Sequence, residues 1–180
     1  MVKLVARSPL AGETLGPVGG VVLTEADVTG AVSVAPFAGR MAEVDAILRG
    51  ALGVGFPAPG EMLRAGAARA LWTGRGRALV IGAPLPEGLG AMAALTEQGD
   101  GVAALVVSGP ATEAVLARLV PMDLRATAFP EGRTARTLVG HMAAQVTRVG
   151  ADAIELMVMR SMGHTLVHEV TAAARMVAAR

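Results

Sequence analysis

The sequence predicts an α+β fold of two similar halves, with mixed sheets and helices packed on one face. Three observations point there. Short apolar or alternating runs read as strands, three stretches carry apolar residues at helical spacing, and one half of the chain lays onto the other at a fixed shift. Phe56-Pro57 and Phe129-Pro130 stand 73 positions apart, and the same shift places Ala31–Ala35 on Ala104–Ser108. It also carries residues 40–52 onto the second amphipathic stretch and the turn behind it. The identities Ala31/Ala104, Val34/Val107, Ala38/Ala111, Phe56/Phe129 and Pro57/Pro130 are few in a chain rich in Ala and Val. The repeated order of strand, helix, Phe-Pro loop, strands and helix is the stronger signal.

Residues 1–20 carry Gly and Pro punctuation and no periodicity, which reads as an extended arm, either frayed or wrapped on a partner. Residues 21–180 form a single pseudo-duplicated domain, with halves at about 21–96 and 97–180. Val21–Leu23 and Ala31–Phe37 are expected strands, with a turn at Thr29-Gly30. Arg40–Leu52 is expected as a helix, with Met41, Val44, Ile47, Leu48 and Leu52 on its apolar face. Gly53 and Gly55 stop it, and Phe56-Pro57-Ala58-Pro59-Gly60 follows as a rigid loop. Ala67–Thr73 and Arg77–Ile81 read as a hairpin around Gly74-Arg75-Gly76. Pro86–Thr96 reads as a weakly amphipathic, Ala-rich helix.

In the second half, Gln98–Gly101 is a turn into Val102–Ser108, a continuous apolar run typical of a strand buried on both faces. Ser108 is the expected N-cap and Pro110 the first residue of a helix running to about Val120, burying Val115, Leu116 and Leu119. Thr134–Val139, Met142–Val149 and Ile154–Arg160 are expected strands. His164–Ala179 is the last helix, burying Leu166, Val167, Val170, Ala173, Ala174 and Val177.

Composition excludes several functions. The 180 residues balance 16 Lys and Arg against 15 Asp and Glu, and include no Cys. Disulfides, thiolate nucleophiles, Fe–S clusters and Cys-based zinc sites are therefore absent. A net charge of +1 with scattered Arg gives no nucleic-acid footprint. No apolar run approaches the length of a membrane span, and MVKLVARSPL lacks the apolar core of a secretory signal, so a cytoplasmic protein is expected. Phe37, Phe56, Trp72 and Phe129 are the only aromatic residues, which leaves little to stack on a flavin, base or folate ring. Mean hydropathy is high at +0.54. Much of it is Ala, and the rest is consistent with apolar surface covered by a partner.

Reactive constellations are sought in vain. Gly50–Gly55 follows a helix and leads into proline, whereas a dinucleotide-binding loop follows a strand and opens a helix. His164 and His168 stand four apart on one helical face beside Glu169, a spacing that suits two metal ligands. A third ligand is missing, and the pair falls opposite the Leu166/Val170/Val177 stripe, on a solvated or partner-facing surface. His141 sits at a strand junction. Ser108 lacks the G-x-S-x-G elbow of a nucleophile. Glu43 and Asp45 lie on a charged helix face where exposure leaves carboxylates ordinary. No catalytic, cofactor-binding or metal-binding residue is assigned.

A resemblance is carried by Leu105-Val106-Val107-Ser108-Gly109-Pro110, Ala114-Val115-Leu116, Pro121-Met122-Asp123-Leu124 and Ala128-Phe129-Pro130-Glu131-Gly132. It continues through Ala135-Arg136-Thr137-Leu138, Gly140-His141, Glu155-Leu156 and Arg160-Ser161-Met162. Over Ala103–Glu169 the chain resembles the gamma subunit of heterotetrameric sarcosine oxidase. Phe56–Gly60 and Ala70-Leu71-Trp72 extend the likeness into the first half. Thr73-Gly74-Arg75-Gly76-Arg77-Ala78 departs from it, standing where such subunits tend to carry an acidic-aromatic turn.

The resemblance implies a folate-binding-domain fold like that of the glycine-cleavage T-protein, built from two swapped halves. It implies a complex with alpha, beta and delta subunits that oxidatively demethylates sarcosine to glycine, yielding hydrogen peroxide and formaldehyde or methylene-tetrahydrofolate. FAD, FMN, NAD, tetrahydrofolate and zinc would sit in the other subunits, and this chain would be structural. Trp72, Arg75, Arg77, His164, His168 and Arg175 are the candidate interface residues, each equally readable as exposed surface. The alternative is a stand-alone folate- or one-carbon-binding protein of the same fold. An iron–sulfur assembly factor of that fold would need a Cys motif, which this chain lacks.

Overall fold

The computed structural model describes residues 7–179. In chain order the strands of the first half are β1 (Gly16–Val18), β2 (Val21–Glu25), β3 (Val32–Pro36), β4 (Met62–Ala65), β5 (Ala68–Gly74), β6 (Arg77–Ile81) and β7 (Ala93–Glu97). Helix α1 (Met41–Leu52) lies between β3 and β4. The second half holds β8 (Val102–Ser108), α2 (Thr112–Leu116), β9 (Thr134–Val139), β10 (Met142–Gly150), β11 (Ala153–Met159) and α3 (Gly163–Ala178).

Two sheets result. One runs β4-β5-β6-β3-β7 and the other β1-β2-β8-β11-β10-β9. The orders correspond, with β1 an addition at the edge of the six-stranded sheet: a three-strand meander, then the strand that precedes it across a helix, then one more. That last strand is exchanged between halves. β2 precedes β3 in sequence yet pairs antiparallel with β8, Leu23 opposite Val107, while β7 precedes β8 yet pairs with β3, Leu95 opposite Val34. The fold is thus the α+β arrangement of two similar halves that the sequence predicts, with the exchange that the resemblance implies; the sheets are not mixed, since every strand pair among the described residues is antiparallel.

Each sheet carries helices on one face and meets the other sheet with its second face. Val44 and Leu48 of α1 pack on Val34, Ala68, Ala70 and Val80. Full burial of such a side chain is worth about 1.5–3 kcal/mol. On the far side, Leu166, Val170 and Ala174 of α3 join Val115 and Leu116 of α2 over Leu105, Val146 and Leu156. Between the sheets lie Leu71, Leu79 and Ile81 from one and Ala104 and Met157 from the other. Alternation along β11 explains this layering, since Ile154, Leu156 and Val158 face the helices while Glu155 and Met157 face the opposite sheet.

Charges are buried in that middle layer and below it. Arg69 donates to Glu155 at 2.9 Å across the two sheets, and both are almost wholly buried. Arg148, 1% exposed, points to the helix side. Its guanidinium donates to the Phe129 carbonyl at 2.6 Å, the Ala151 carbonyl at 2.5 Å, the Leu124 carbonyl and the Glu113 carboxylate at 2.8 Å. This one side chain pins the irregular segment between α2 and β9.

Local signals hold where the chemistry is local. Gly53 takes φ +71°, which a side chain disfavours, and its N–H caps the Arg49 carbonyl to end α1. Elsewhere tertiary structure overrides the sequence reading. Residues 86–96 are not a helix: a 3-10 turn at Leu89–Ala91 leads into β7, because the outer edge of β3 offers pairing to an Ala-rich stretch with no helical stripe. Helix α2 starts at Thr112 and ends at Leu116, shorter than expected at both ends. Ala111, not Ser108, is its N-cap, and Pro110 lies outside it. Ser108 Oγ instead reaches the Val22 carbonyl. Leu119 and Val177 are only partly buried, and Met41 is exposed rather than part of the α1 core. Within the segment expected as an arm, Gly16–Val18 forms a sheet edge and Leu10 is buried; residues 1–6 of it lie outside the described residues.

Candidate functional site

A cavity of about 750 Å³ opens between α1 and the tip of the β5–β6 hairpin. Met41 and Ala42 from the first turn of α1, Phe56, Pro57 and Pro59 from the Phe-Pro loop, and Trp72 from β5 make its apolar surface. Asp45, Arg49 and Arg75 supply the polar part. The helix-facing side of β5 runs Ala68, Ala70, Trp72, so Trp72 emerges where α1 no longer covers the sheet.

The walls are held rigidly. Asp45 accepts the Phe56 N–H at 2.7 Å and pairs with Arg49 at 2.9 Å. The Phe56 N–H, with a lesser contribution from Arg49 against slight burial, holds the Asp45 carboxyl below the usual carboxylate range. Exposure therefore does not leave this carboxylate ordinary, contrary to the sequence reading. Glu61 accepts the Ala58 N–H at 2.9 Å and fixes the other end of the loop. The backbone of Trp72 is tied to the second sheet by Gln145, whose Nε2 donates to its carbonyl at 2.9 Å and to Thr134 Oγ1 at 2.6 Å. Thr134 Oγ1 in turn lies 2.7 Å from Thr147 Oγ1.

The hairpin tip is cationic. Arg75 and Arg77 are exposed, and Arg136 of β9 donates to the Thr73 carbonyl at 3.2 Å beside them. Arg133 lies against Gly60, where an added Cβ would stand 2.9 Å from its guanidinium. Among the described residues Arg75, Arg77, Arg133 and Arg136 make no ion pair.

The six interface candidates fall in two places. Trp72 and Arg75 line this groove, and Arg77 stands at the same hairpin tip. His164, His168 and Arg175 line a second cavity of about 540 Å³, bounded by Gly12–Val18 lying along the polar face of α3. There the His164 imidazole meets the Glu13 carboxylate. Among the described residues no three His, Cys, Asp or Glu side chains converge as a metal site. Met41, Phe56, Pro57, Pro59 and Asp45 were missed as groove residues. For Phe56, Pro57 and Pro59 the signal is the Phe-Pro loop itself, which reads as a connector until the fold sets it beside Trp72; Met41 and Asp45 read as ordinary faces of α1.

No protein-family profile and no curated protein matches the sequence. Among solved structures, one chain of the heterotetrameric sarcosine oxidase from Corynebacterium sp. U-96, in complex with pyrrole 2-carboxylate, superposes with a TM-score of 0.80 at 24% identity. The superposition covers 97% of each chain. The two chains share one fold. The regulatory subunit of aspartate kinase from Thermus thermophilus reaches a TM-score of only 0.41 at 11% identity, covering 87% of this chain and 99% of that one. No described helix is long and apolar enough to cross a membrane.

Proposed function

We propose that this chain is a non-catalytic structural subunit, the gamma chain of a heterotetrameric sarcosine oxidase, which docks on alpha, beta and delta subunits and holds them in a working arrangement. The carrying observation is the superposition over nearly the full length of both chains, including the swapped halves. The sequence resemblance over Ala103–Glu169 supports the same subunit.

The use made of buried polar groups also favours this reading. Arg69–Glu155, Arg148 and the Gln145–Thr134–Thr147 chain bond one another or the backbone, joining elements rather than lining a cavity. The groove beside Trp72 instead combines Trp, Met and Pro surface with Arg, a composition suited to protein interfaces. The parent complex oxidatively demethylates sarcosine to glycine, with FAD, FMN, NAD, tetrahydrofolate and zinc kept by its other chains. The work of this chain takes place in the cytoplasm.

Co-expression of the alpha, beta and delta chains with and without this one tests the reading. The expected result is loss of the assembled complex and of sarcosine turnover in its absence. Full assembly and turnover without it overturn the proposal, as does saturable, tight binding of tetrahydrofolate by the isolated chain, which marks the stand-alone folate-binding alternative.

A further inference from the structure

The pseudo-symmetry says what the groove beside Trp72 lacks. The two meanders are equivalent through their hydrogen bonds: Trp72 donates its N–H to the Glu61 carbonyl and lies opposite Ala78, as Arg148 donates its N–H to the Arg133 carbonyl and lies opposite Ile154, each just before a β-bulge. Ala78 pairs in turn with Val34 and Ile154 with Val107, so Trp72 corresponds to Arg148. In the second half the space at this position is filled by the chain itself. Arg148 occupies it, with Leu124 and Phe129 buried beside it, and every direction of the guanidinium meets an acceptor. In the first half Trp72 stands at this position, and both it and Phe56 are only partly buried. The equivalent space is the open groove.

The charge of the groove specifies its filling. The two nearest carboxylates are already engaged, Asp45 by the Phe56 N–H and Arg49, and Glu61 by the Ala58 N–H. Glu131, exposed at the turn before Arg133, makes no ion pair. Against these stand the guanidinium of Arg75 in the lining and, outside it, those of Arg133 against Gly60 and Arg136 on the Thr73 carbonyl, each with the planar fork suited to carboxylates. The groove is open to solvent along one side, so a small ligand would leave much of its surface wet, whereas ligand pockets bury most of theirs.

Resting on the subunit reading above, we infer that this groove is a docking site for a segment of a partner subunit that carries a large apolar side chain flanked by carboxylates. The apolar side chain covers Phe56, Pro57 and Trp72, and the carboxylates pair with Arg75, Arg133 and Arg136. Interface anchors of this kind concentrate binding energy in a few buried aromatic and Arg groups.

The test uses the whole complex, purified through a tag on this chain. Replacing the exposed Met41 by p-benzoylphenylalanine and irradiating reads out what lies in the groove. The expected adduct joins a segment of another subunit with Asp or Glu within a few residues of the attached site. The double variant Arg75→Glu, Arg136→Glu, both exposed positions, is expected to weaken assembly by roughly tenfold or more and to abolish that adduct, since like charges now face each other. Circular dichroism and urea unfolding of this double variant verify that its fold is intact. A Trp72→Ser variant gives an independent measure of the apolar anchor and is expected to weaken assembly as well.

Adduct formation with a second copy of this chain, or with a segment free of carboxylates, overturns the inference. So does normal assembly of a folded Arg75→Glu, Arg136→Glu chain within about twofold of the unsubstituted one. In both cases the subunit reading stands, because the unsubstituted chain still joins its partners. If the unsubstituted chain joins no partner at all, both readings fall together.

Discussion

The buried pair between Arg69 and Glu155 makes a sharp test of how the two sheets are joined. Arg69 Nη1 lies 2.8 Å from Glu155 Oε2, and the side chains are only 8% and 3% exposed. At that distance and an effective dielectric of about 20, attraction is about 6 kcal/mol. Withdrawing each ion from water costs several kcal/mol, so the pair as a whole adds little beyond what packed apolar groups would give. Arg69→Met alone leaves a buried carboxylate without its partner, and Glu155→Leu alone leaves a buried guanidinium. Each single change is expected to cost about 3–5 kcal/mol, while the double variant recovers most of that loss or exceeds the original stability. With a slope of about 2 kcal/mol per molar urea, each single variant should unfold roughly 1.5–2.5 M earlier. Urea titration followed by circular dichroism, run as a double-mutant cycle, measures the coupling. Single losses below about 1 kcal/mol that simply add in the double variant would refute the claim that these charges are desolvated against each other.

Two further outcomes follow from the same kind of reasoning. Arg148→Met strands the buried carbonyls of Phe129 and Leu124, so stability should fall by about 3 kcal/mol or more. Hydrogen exchange of residues 121–132 should accelerate beyond the global effect, and unchanged protection there would show that Arg148 does not hold the segment. Asp45→Ala removes the acceptor for the Phe56 N–H and should cost about 1 kcal/mol, or about 2–4 °C in Tm, at neutral pH. The folded carboxyl titrates below its ordinary value, so its stabilisation is present above that value and lost as pH falls through the folded one. The gap in Tm between the two proteins should close on acidification, and a gap unchanged down to about pH 2 contradicts the tether.

What the sequence discloses about this fold follows the reach of each interaction. The end of α1 is legible because Gly53 supplies its own stop, and β8 because the continuous apolar run Val102–Val107 needs no partner to be read. Strand β7 is not legible. Ala93-Ala94-Leu95-Thr96 has weak preferences, and its conformation is decided by β3, some sixty residues earlier in the chain. The exchange of β2 and β7 escapes for the same reason, since nothing within Val21–Glu25 says that its partner is β8 rather than β3. A uniform shift of 73 also fails beyond the Phe-Pro loops, because the hairpin turns at Gly66 and Gly140 stand 74 apart.

The groove shows the same division. Trp72 and Arg75 stand out by residue type in an aromatic-poor chain. Phe56 looks like part of a connector, and Met41 looks like core by its helical spacing. Asp45 looks like helix surface, because the N–H it accepts lies eleven residues on. The Arg148 signal was present, a charged residue inside an otherwise apolar and polar-neutral strand, but only burial distinguishes it from an exposed arginine.

The two halves share a plan and each contributes one partner of the buried Arg69–Glu155 pair, but beyond it they place their polar side chains differently. The second half turns Arg148, Glu155 and Gln145 inward, where they tie the 121–132 segment, the facing sheet and the backbone of Trp72. The first half leaves Arg75 and Arg77 outward at a hairpin tip that contains two glycines. Because β2 completes the sheet of the second half and β7 that of the first, neither half can move away without breaking a sheet. A partner seated on the first-half groove would therefore bear on a surface braced by the second half through Gln145 and Arg136. Exchange of a strand between two similar halves thus lets one of them brace the surface that the other presents.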